Sequence, residues 1–410
     1  MSSRFVSIPA KDLEFGMFVA ELDRPWLETP FLVQGFIVSE PEQRKLLMEL
    51  CNQVTIDTGK SVQRRSSSTK KKRLTGRQAI KRELPGKPLC IYQDSRSFDE
   101  EIPAATRLYD DYEATVKNFY EDFRRSKTIN IKDVNETVNN LVRSIVRNPD
   151  ACMLLRQMKK KSDYLHDHAM GMSIWAAALG RQLGLPPKDI KTVAFGALVA
   201  DVGAVHISNE LLSKPAKLTE SEYAYVKSHV KKSLEQLQKT NGIGTPVLNI
   251  VASHHERFDG TGYPNGLKGT EIPIFGRIVA IADCYDAVTT KRPYADARPP
   301  SEAVTLLYGL RDKDFQSELV EEFIQAIGIY PVGTMVELSS GQVGMVIAEY
   351  RRRRLRPKIL LMLDEEKRAI NSREYLDLLK HTHTADGRPL DIVRALEPGA
   401  YGLEDDDIFA

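Results

Sequence analysis

The sequence predicts a mainly α-helical protein with a small mixed α/β domain at its start and a small β-rich appendage near its end. Three observations lead there. Apolar residues recur every three and four positions across 99–147, the period of helices with one buried face. The stretch 151–330 keeps helical punctuation: Gly184-Leu185-Pro186-Pro187 stops one helix, and Thr219 with Glu222 three residues on caps the start of the helix expected to carry His229. Beyond Pro331 the apolar period falls to two, the alternation of half-buried strands.

Residues 1–59 form the N-terminal domain. Phe5-Val6-Ser7-Ile8, Phe31-Leu32-Val33 and Val54-Thr55-Ile56 have strand character, and Pro41–Leu50 has helix character with Pro41 in its first turn. Trp26 and its aromatic neighbours suit a core better than a ligand cage. Residues 60–98, with Arg64-Arg65 and Lys70-Lys71-Lys72-Arg73, are expected to be a basic flexible linker. No aromatics interleave these charges, so a solvated linker fits better than a nucleic-acid arm.

Residues 99–150 are connecting helices. One stripe runs through Tyr109, Tyr112, Val116, Phe119, Tyr120 and Phe123, and a second through Val134, Val138, Leu141, Val142 and Ile145. Such stripes suit packing on the following domain or on a second subunit, which leaves a homodimer open. Residues 331–395 carry strands at Met335–Leu338, Val343–Ile347 and Ile359–Leu363, with an arginine-rich turn at Arg351–Arg354. Residues 396–410, with Glu404-Asp405-Asp406-Asp407, are expected to be a disordered acidic tail.

Composition narrows the class. The 410 residues are 42% hydrophobic and 28% charged, enough for two or three globular domains. A net charge of +2 gives no general reason to expect a nucleic-acid or membrane partner. Cys51, Cys90, Cys152 and Cys284 are scattered, with no CxxC pair, so neither a disulfide framework nor a zinc ribbon is expected. The start, Met-Ser-Ser-Arg-Phe-Val, lacks a signal-like apolar core, and no apolar run is long enough to cross a bilayer. A cytoplasmic location is the expectation.

The chemistry concentrates in residues 151–330. Asp283 follows the apolar run Ile278-Val279-Ala280-Ile281-Ala282, and Asp201 lies inside Ala197-Leu198-Val199-Ala200-Asp201-Val202-Gly203. A carboxylate buried in such surroundings is costly unless it is paired or holds a metal. His168, His229, His254 and His255 lie in the same region, which favours metal: a carboxylate bridging two cations, with imidazoles completing each site. Gly262-Tyr263-Pro264 allows backbone to approach a ligand closely and then stiffens the loop.

The words YLHDH, NELLSKPAKLTESEY, KSHV, HHERFDGTGYPNGLKGTEIP, GRIVAIADCYDAVTT and KRPY resemble the HD-GYP family, a subgroup of the HD superfamily, over about Tyr164 to Phe323. LEFGMFVAELDRPWLETPFLVQGF and LCNQVTIDTGKS resemble a small domain of unknown function that often precedes it. The resemblance implies an all-helical HD-type metal-dependent phosphohydrolase fold and a bacterial role in hydrolysing cyclic di-GMP. It implies divalent metals (Fe, Mn or similar) that activate water for attack on a phosphodiester. By motif, Asp201 is the bridging, catalytic carboxylate. His229, His254 and His255 complete one metal site with it, and His168 and Asp283 serve the other. Arg277 and Arg292 match positions near the nucleotide phosphates. Gly262, Tyr263 and Pro264 would shape the pocket wall and offer a docking surface for another signalling protein.

The sequence also departs from the family. Ala200 stands where the paired His-Asp word has its histidine, Tyr164 where some members carry a glutamate for a third metal, and Ala204 and Ala295 where basic residues meet phosphate. One metal site is left with His168, Asp201 and Asp283, so only one site is expected to be well occupied. Hydrogen bonds to charged groups contribute about 1.5–3 kcal/mol each, and each 1.36 kcal/mol is about tenfold in rate. The sequence therefore favours a cyclic di-GMP signalling protein with weak or lost hydrolysis, acting by nucleotide or protein binding. The alternative is an active phosphodiesterase yielding the linear dinucleotide or GMP, with water or His206 in place of the lost ligand.

Overall fold

The computed structural model describes residues 5–403 apart from 25, 27–28, 30, 32–34, 39–40, 60, 62–74, 126–130, 160–163, 293–296, 351–354, 385 and 398. Most of the strand expected at 31–33, the basic runs at 64–65 and 70–73, Ala295, the arginine run and residues 404–410 of the acidic tail lie outside the described residues; the start of that tail is ordered instead, with Leu396 N–H donating to Met335 O at 2.8 Å and Leu396 and Leu403 packed with Val343 and Leu363. The chain divides into two units, Met1–Arg73 and Leu74–Ala410.

The first unit pairs β1 (Phe5–Pro9), β2 (Phe18–Leu22), β3 (Phe36–Ile37) and β4 (Gln53–Asp57) in the order β1-β4-β2-β3, with α1 (Pro41–Leu50) between β3 and β4. All described pairings are antiparallel, with Ile8 opposite Val54 and Val19 opposite Ile56. Leu13, Val19, Val38, Leu47 and Val54 make its core. Trp26 packs edge-on against Phe31 and Phe36, as a core residue does.

The second unit begins with α2 (Gly76–Glu83), which corrects the expected flexible linker. Thr75 and Gln78 form a reciprocal capping box at its start, and Ala79 and Ile80 are buried. The segment after it docks on the helical domain: Arg77 donates to the Gln182 carbonyl, Cys90 N–H to Gly184 O at 2.7 Å, and the Tyr92 hydroxyl to Leu185 O at 2.8 Å. Lys87 pairs with Asp189 at 2.7 Å. Here basic side chains meet carbonyls and carboxylates of the domain, so a basic composition does not mean a solvated segment.

Two helices then form a hairpin, α3 (Phe98–Arg124) and α4 (Ile131–Arg147), followed by α5 (Pro149–Met158), α6 (Tyr164–Leu183) and α7 (Pro187–Val199). Next come α8 (Asn209–Leu212), α9 (Glu220–Lys227), α10 (His229–Leu237), α11 (Thr245–Ser253), α12 (Ile274–Thr289), α13 (Pro300–Gly309) and α14 (Ser317–Ile327). Helix α6 is central, packed on α7, α12 and α14, while α7 also packs on α11. Almost every α6 side chain is buried, as befits a helix that is apolar on all sides. The α3 stripe from Tyr109 to Phe123 is covered by this chain's own α4, α5 and α6, and Tyr120 donates to Leu198 O at 2.9 Å. That stripe therefore does not present a dimer face.

The appendage is one antiparallel sheet in the order β8-β7-β6-β5-β9, from β5 (Met335–Leu338), β6 (Val343–Ala348), β7 (Lys358–Leu363), β8 (Ala369–Asp377) and β9 (Ile392–Ala395). It joins the helical domain where Glu349 N–H donates to Asp150 at 2.9 Å and Lys358 meets Asp99 at 2.7 Å. No described helix is long and apolar enough to cross a membrane.

Glu101 ties the start of α3 to the end of α4. It is fully buried, accepts from Ser144 Oγ at 2.7 Å, and forms a two-pronged pair with Arg147 at 2.8 and 2.6 Å. Burial alone would raise its pKa, but the Arg147 and Ser144 hydrogen bonds outweigh it and hold the carboxyl below its usual value. This contribution is present above the unfolded-state value of 4.5 and is lost as pH falls through the lower folded value. Because Arg147 keeps 30% exposure, Glu101→Gln is expected to cost about 2–3 kcal/mol, less than a fully enclosed pair. Urea denaturation at pH 7 and at pH 3 checks this: the difference between wild type and variant should shrink at the lower pH.

Candidate metal centre

Five segments bring the six expected ligands together. His168 lies in the second turn of α6, and Asp201 just beyond α7. His229 opens α10, His254 and His255 follow the last residue of α11, and Asp283 is inside α12. The Thr219 capping box starts α9, with His229 on the next helix rather than on the capped one. Asp201 Oδ1 is 3.0 Å from His229 Nε2, 3.2 Å from His254 Nε2 and 3.8 Å from His255 Nε2. His168 Nε2 is 3.1 Å from Asp283 Oδ1 and 3.7 Å from Asp201 Oδ2. His255 joins the halves, with Nε2 at 3.1 Å from His229 Nε2 and Nδ1 at 3.5 Å from Asp283 Oδ2.

The proton positions decide what this cluster wants. His229 Nδ1 faces Val226 O at 2.7 Å and His254 Nδ1 faces Val251 O at 2.9 Å. His168 Nδ1 faces Asp286 Oδ2 at 2.8 Å. Those oxygens only accept, so each Nδ1 carries the proton, and a neutral ring then turns a bare Nε2 lone pair inward. Three such lone pairs face carboxylate oxygens, an arrangement that repels unless a proton or a cation lies between. Burial opposes charge on His168, but hydrogen bonds to Asp283 and Asp286 outweigh it and push its pKa up to about 9. Burial likewise opposes charge on His229, and the Asp201 hydrogen bond raises it nonetheless. Asp201 and Asp283 are held low by their histidine partners against the effect of burial. Burial and the neighbouring His254 drive His255 far down, leaving it neutral.

This donor set fits a divalent metal. Asp201, His229, His254 and His255 would hold one ion; His168, Asp201 and Asp283 would hold a second. Ala200 is fully buried at the end of α7 and offers a methyl where a seventh ligand would stand, while its carbonyl accepts from Ser233 Oγ at 2.9 Å. His206 does not replace it: its Nε2 meets Gln236 Oε1 at 3.1 Å and its ring lies near Phe123.

The support around these ligands lies beyond what the sequence motifs indicate. Asp286 accepts from His168, from Trp175 Nε1 at 3.0 Å and from two Arg156 nitrogens at 2.9 Å. Arg156 and Asp286 are both 1% exposed. A Cβ on Gly171 would lie 1.8 Å from Asp286 Oδ1, so only glycine admits this approach. The signal was present: Asp286 is three residues after Asp283 on the same apolar helix, and the buried-carboxylate argument applies to it equally. Glu256 is a second case. It accepts from Asn265 N–H at 2.7 Å and Leu267 N–H at 3.0 Å, which folds the Gly262-Tyr263-Pro264 loop back on the centre. A Cβ on Gly262 would lie 2.2 Å from Arg257 N. Tyr263 then lies 4.7 Å from the His255 ring.

The two arginines differ. Arg277 is buried, donates to Ile272 O at 2.9 Å, and is engaged by Glu83 of α2 and by Gln316. Its guanidinium is committed within the fold and is not brought to the cluster. Arg292 lies over Tyr164 at 5.3 Å, and Tyr164 stacks on His168 at 5.3 Å and 10°. Position 164 thus covers the histidine with a ring.

Comparisons with known proteins agree along the chain. A family described as HD domain matches residues 141–319, the domain of unknown function DUF3391 matches 6–134, and a KOW domain associated with HD domain matches 335–401. Cyclic di-GMP phosphodiesterase PA4108 of Pseudomonas aeruginosa is 29% identical over 373 residues, covering 90% of this chain and 88% of that protein. A cyclic di-GMP phosphodiesterase of Thermotoga maritima is 35% identical over 164 residues, 39% of this chain and 44% of that protein. The 3'3'-cGAMP-specific phosphodiesterase 3 of Vibrio cholerae is 30% identical over 230 residues, 53% of this chain and 50% of that protein.

Asp286→Asn tests the support network. It leaves the buried Arg156 charge without its counter-ion, at a cost of about 3–5 kcal/mol, and exchanges one of two fully used acceptor oxygens for an NH2 donor, which unsettles the His168 tautomer and lowers metal affinity by about 10–100-fold. Calorimetric melting and manganese equilibrium dialysis measure the two effects. Trp175→Phe, which leaves the ion pair in place, should show a smaller loss in each.

Proposed function

Residues 141–319 belong to the HD-domain family and carry the His-His and Gly-Tyr-Pro words of its HD-GYP branch; from that premise we propose that this chain binds cyclic di-GMP at a divalent-metal centre (Fe, Mn or similar) and hydrolyses it weakly. The observation that carries the reading is the unequal donor set: four ligands around one position, three around the other, with Ala200 where a fourth would be. Bound metals would supply Lewis acidity and a hydroxide-like nucleophile near neutral pH. The chain's own residues do the rest. Asp201 turns one oxygen to each group of ligands. The Tyr263 ring shields one side of His255 from water. Arg292 lies at the Tyr164 face beside His168, whereas Arg277 is taken up by Glu83 and Gln316. Ala204 adds no charge. A missing ligand and missing cations together weaken the stabilisation of a dianionic substrate by about a thousandfold or more in rate. A protein partner on the Gly-Tyr-Pro loop is a further form of the binding role.

A fully active phosphodiesterase is the second reading. It is favoured by similarity along 90% of the chain to a protein named as such, and by the fact that three protein ligands with an open position suffice in many catalytic sites. The experiment that separates them uses the manganese-loaded full chain with cyclic di-GMP. Binding without appreciable turnover, and a gain of about a hundredfold or more in Ala200→His with Ala204→Lys, is the expected result. Fast wild-type turnover that Asp201→Ala abolishes and the double substitution does not improve would establish the second reading instead.

A further inference from the structure

Lys227 ends α9, two residues before His229. Its ammonium lies over two tyrosine rings, 4.3 Å from the centroid of Tyr223 and 4.9 Å from that of Tyr263. Tyr263 lies 4.7 Å from the ring of His255, and His255 Nε2 is 3.1 Å from His229 Nε2. A ladder of rings thus runs from the candidate metal ligands through Tyr263 to Lys227 and on to Tyr223, which is 48% exposed.

Among the described residues the charge of Lys227 meets the two ring faces and no anionic oxygen. Neighbouring lysines differ: Lys214 is held by Glu222 at 2.7 Å, and Lys231 faces Glu235 at 3.8 Å. An ammonium has three N–H donors, and ring faces attract the cation without supplying the strong oxygen acceptors those donors take. The two rings fix the position of Lys227 and leave its donors for an anion. The nearby centre is short of such donors, since position 204 is alanine and Arg277 is bound to Glu83 and Gln316.

We propose that Lys227, held between Tyr223 and Tyr263 beside the metal cluster, is an anion subsite that takes the phosphate of a bound cyclic dinucleotide lying away from the metal position. Tyr223 is a positioning residue that holds the ammonium. The inference rests on the dinucleotide reading above and names a contact that this reading does not include.

The test titrates cyclic di-GMP into the manganese-loaded full chain by calorimetry, for wild type, Lys227→Met and Lys227→Arg. Methionine keeps an unbranched apolar stem between the rings and removes the charge. Lys227→Met should bind about tenfold to a hundredfold more weakly, with manganese content and melting temperature unchanged and with a shallower dependence on sodium chloride. Lys227→Arg should retain most of the affinity. Equal binding by Lys227→Met and wild type would overturn the subsite and leave the dinucleotide reading standing. Loss of manganese or of thermal stability in Lys227→Met would make the residue a brace for the loop and would also overturn it. No binding of cyclic di-GMP by the wild type would remove the dinucleotide reading itself, and the subsite with it.

Discussion

Asp201 and Asp283 lie among four imidazoles, and three of those rings have already committed their protons to acceptors on the far side. In neutral rings this turns bare nitrogens toward anionic oxygens at 3.0–3.2 Å. Such a cluster is stable only with positive charge at its middle, supplied by protons on the rings or by metal ions. The rise in the pKa of His168 and His229 expresses that demand as protons. Most of the surrounding structure can be understood as holding these atoms in place against their repulsion.

The holding is done from both sides. The Nδ1 acceptors of His229 and His254 are carbonyls three residues earlier in the chain, so helix geometry at the α9–α10 junction and at the end of α11 sets two of the rings. The third ring depends on a longer reach: Asp286, itself secured by Arg156 from α5 and Trp175 from α6, receives the His168 proton. Position 200 is local by comparison. Ala200 sits at the end of α7, whose last turn is fully buried, and its carbonyl accepts from Ser233.

Much of this was legible in the sequence because it is local. Asp201 and Asp283 stand out as acids in apolar helices, the histidine words fix four rings, and spacings of three and four mark the α3 and α4 stripes. What was not legible depends on partners far apart in the chain. Arg277 resembles a phosphate contact, but its partner Glu83 is 194 residues away, on a helix hidden within a basic segment. Asp286 stands out as a buried acid, but what it holds does not, since its partner Arg156 is 130 residues earlier. Lys227 gave no signal at all, since a lysine at the end of a surface helix acquires meaning only when the Gly-Tyr-Pro loop places Tyr263 against it.

The central claim is that inward-facing nitrogens and carboxylates demand a cation at Asp201. Anomalous scattering at the manganese edge, from crystals of the full chain grown with manganese, tests it most directly. The account requires a strong peak bounded by Asp201, His229, His254 and His255, with a weaker or absent one between His168 and Asp283. No peak beside Asp201, with the rings instead protonated on Nε2, would contradict it.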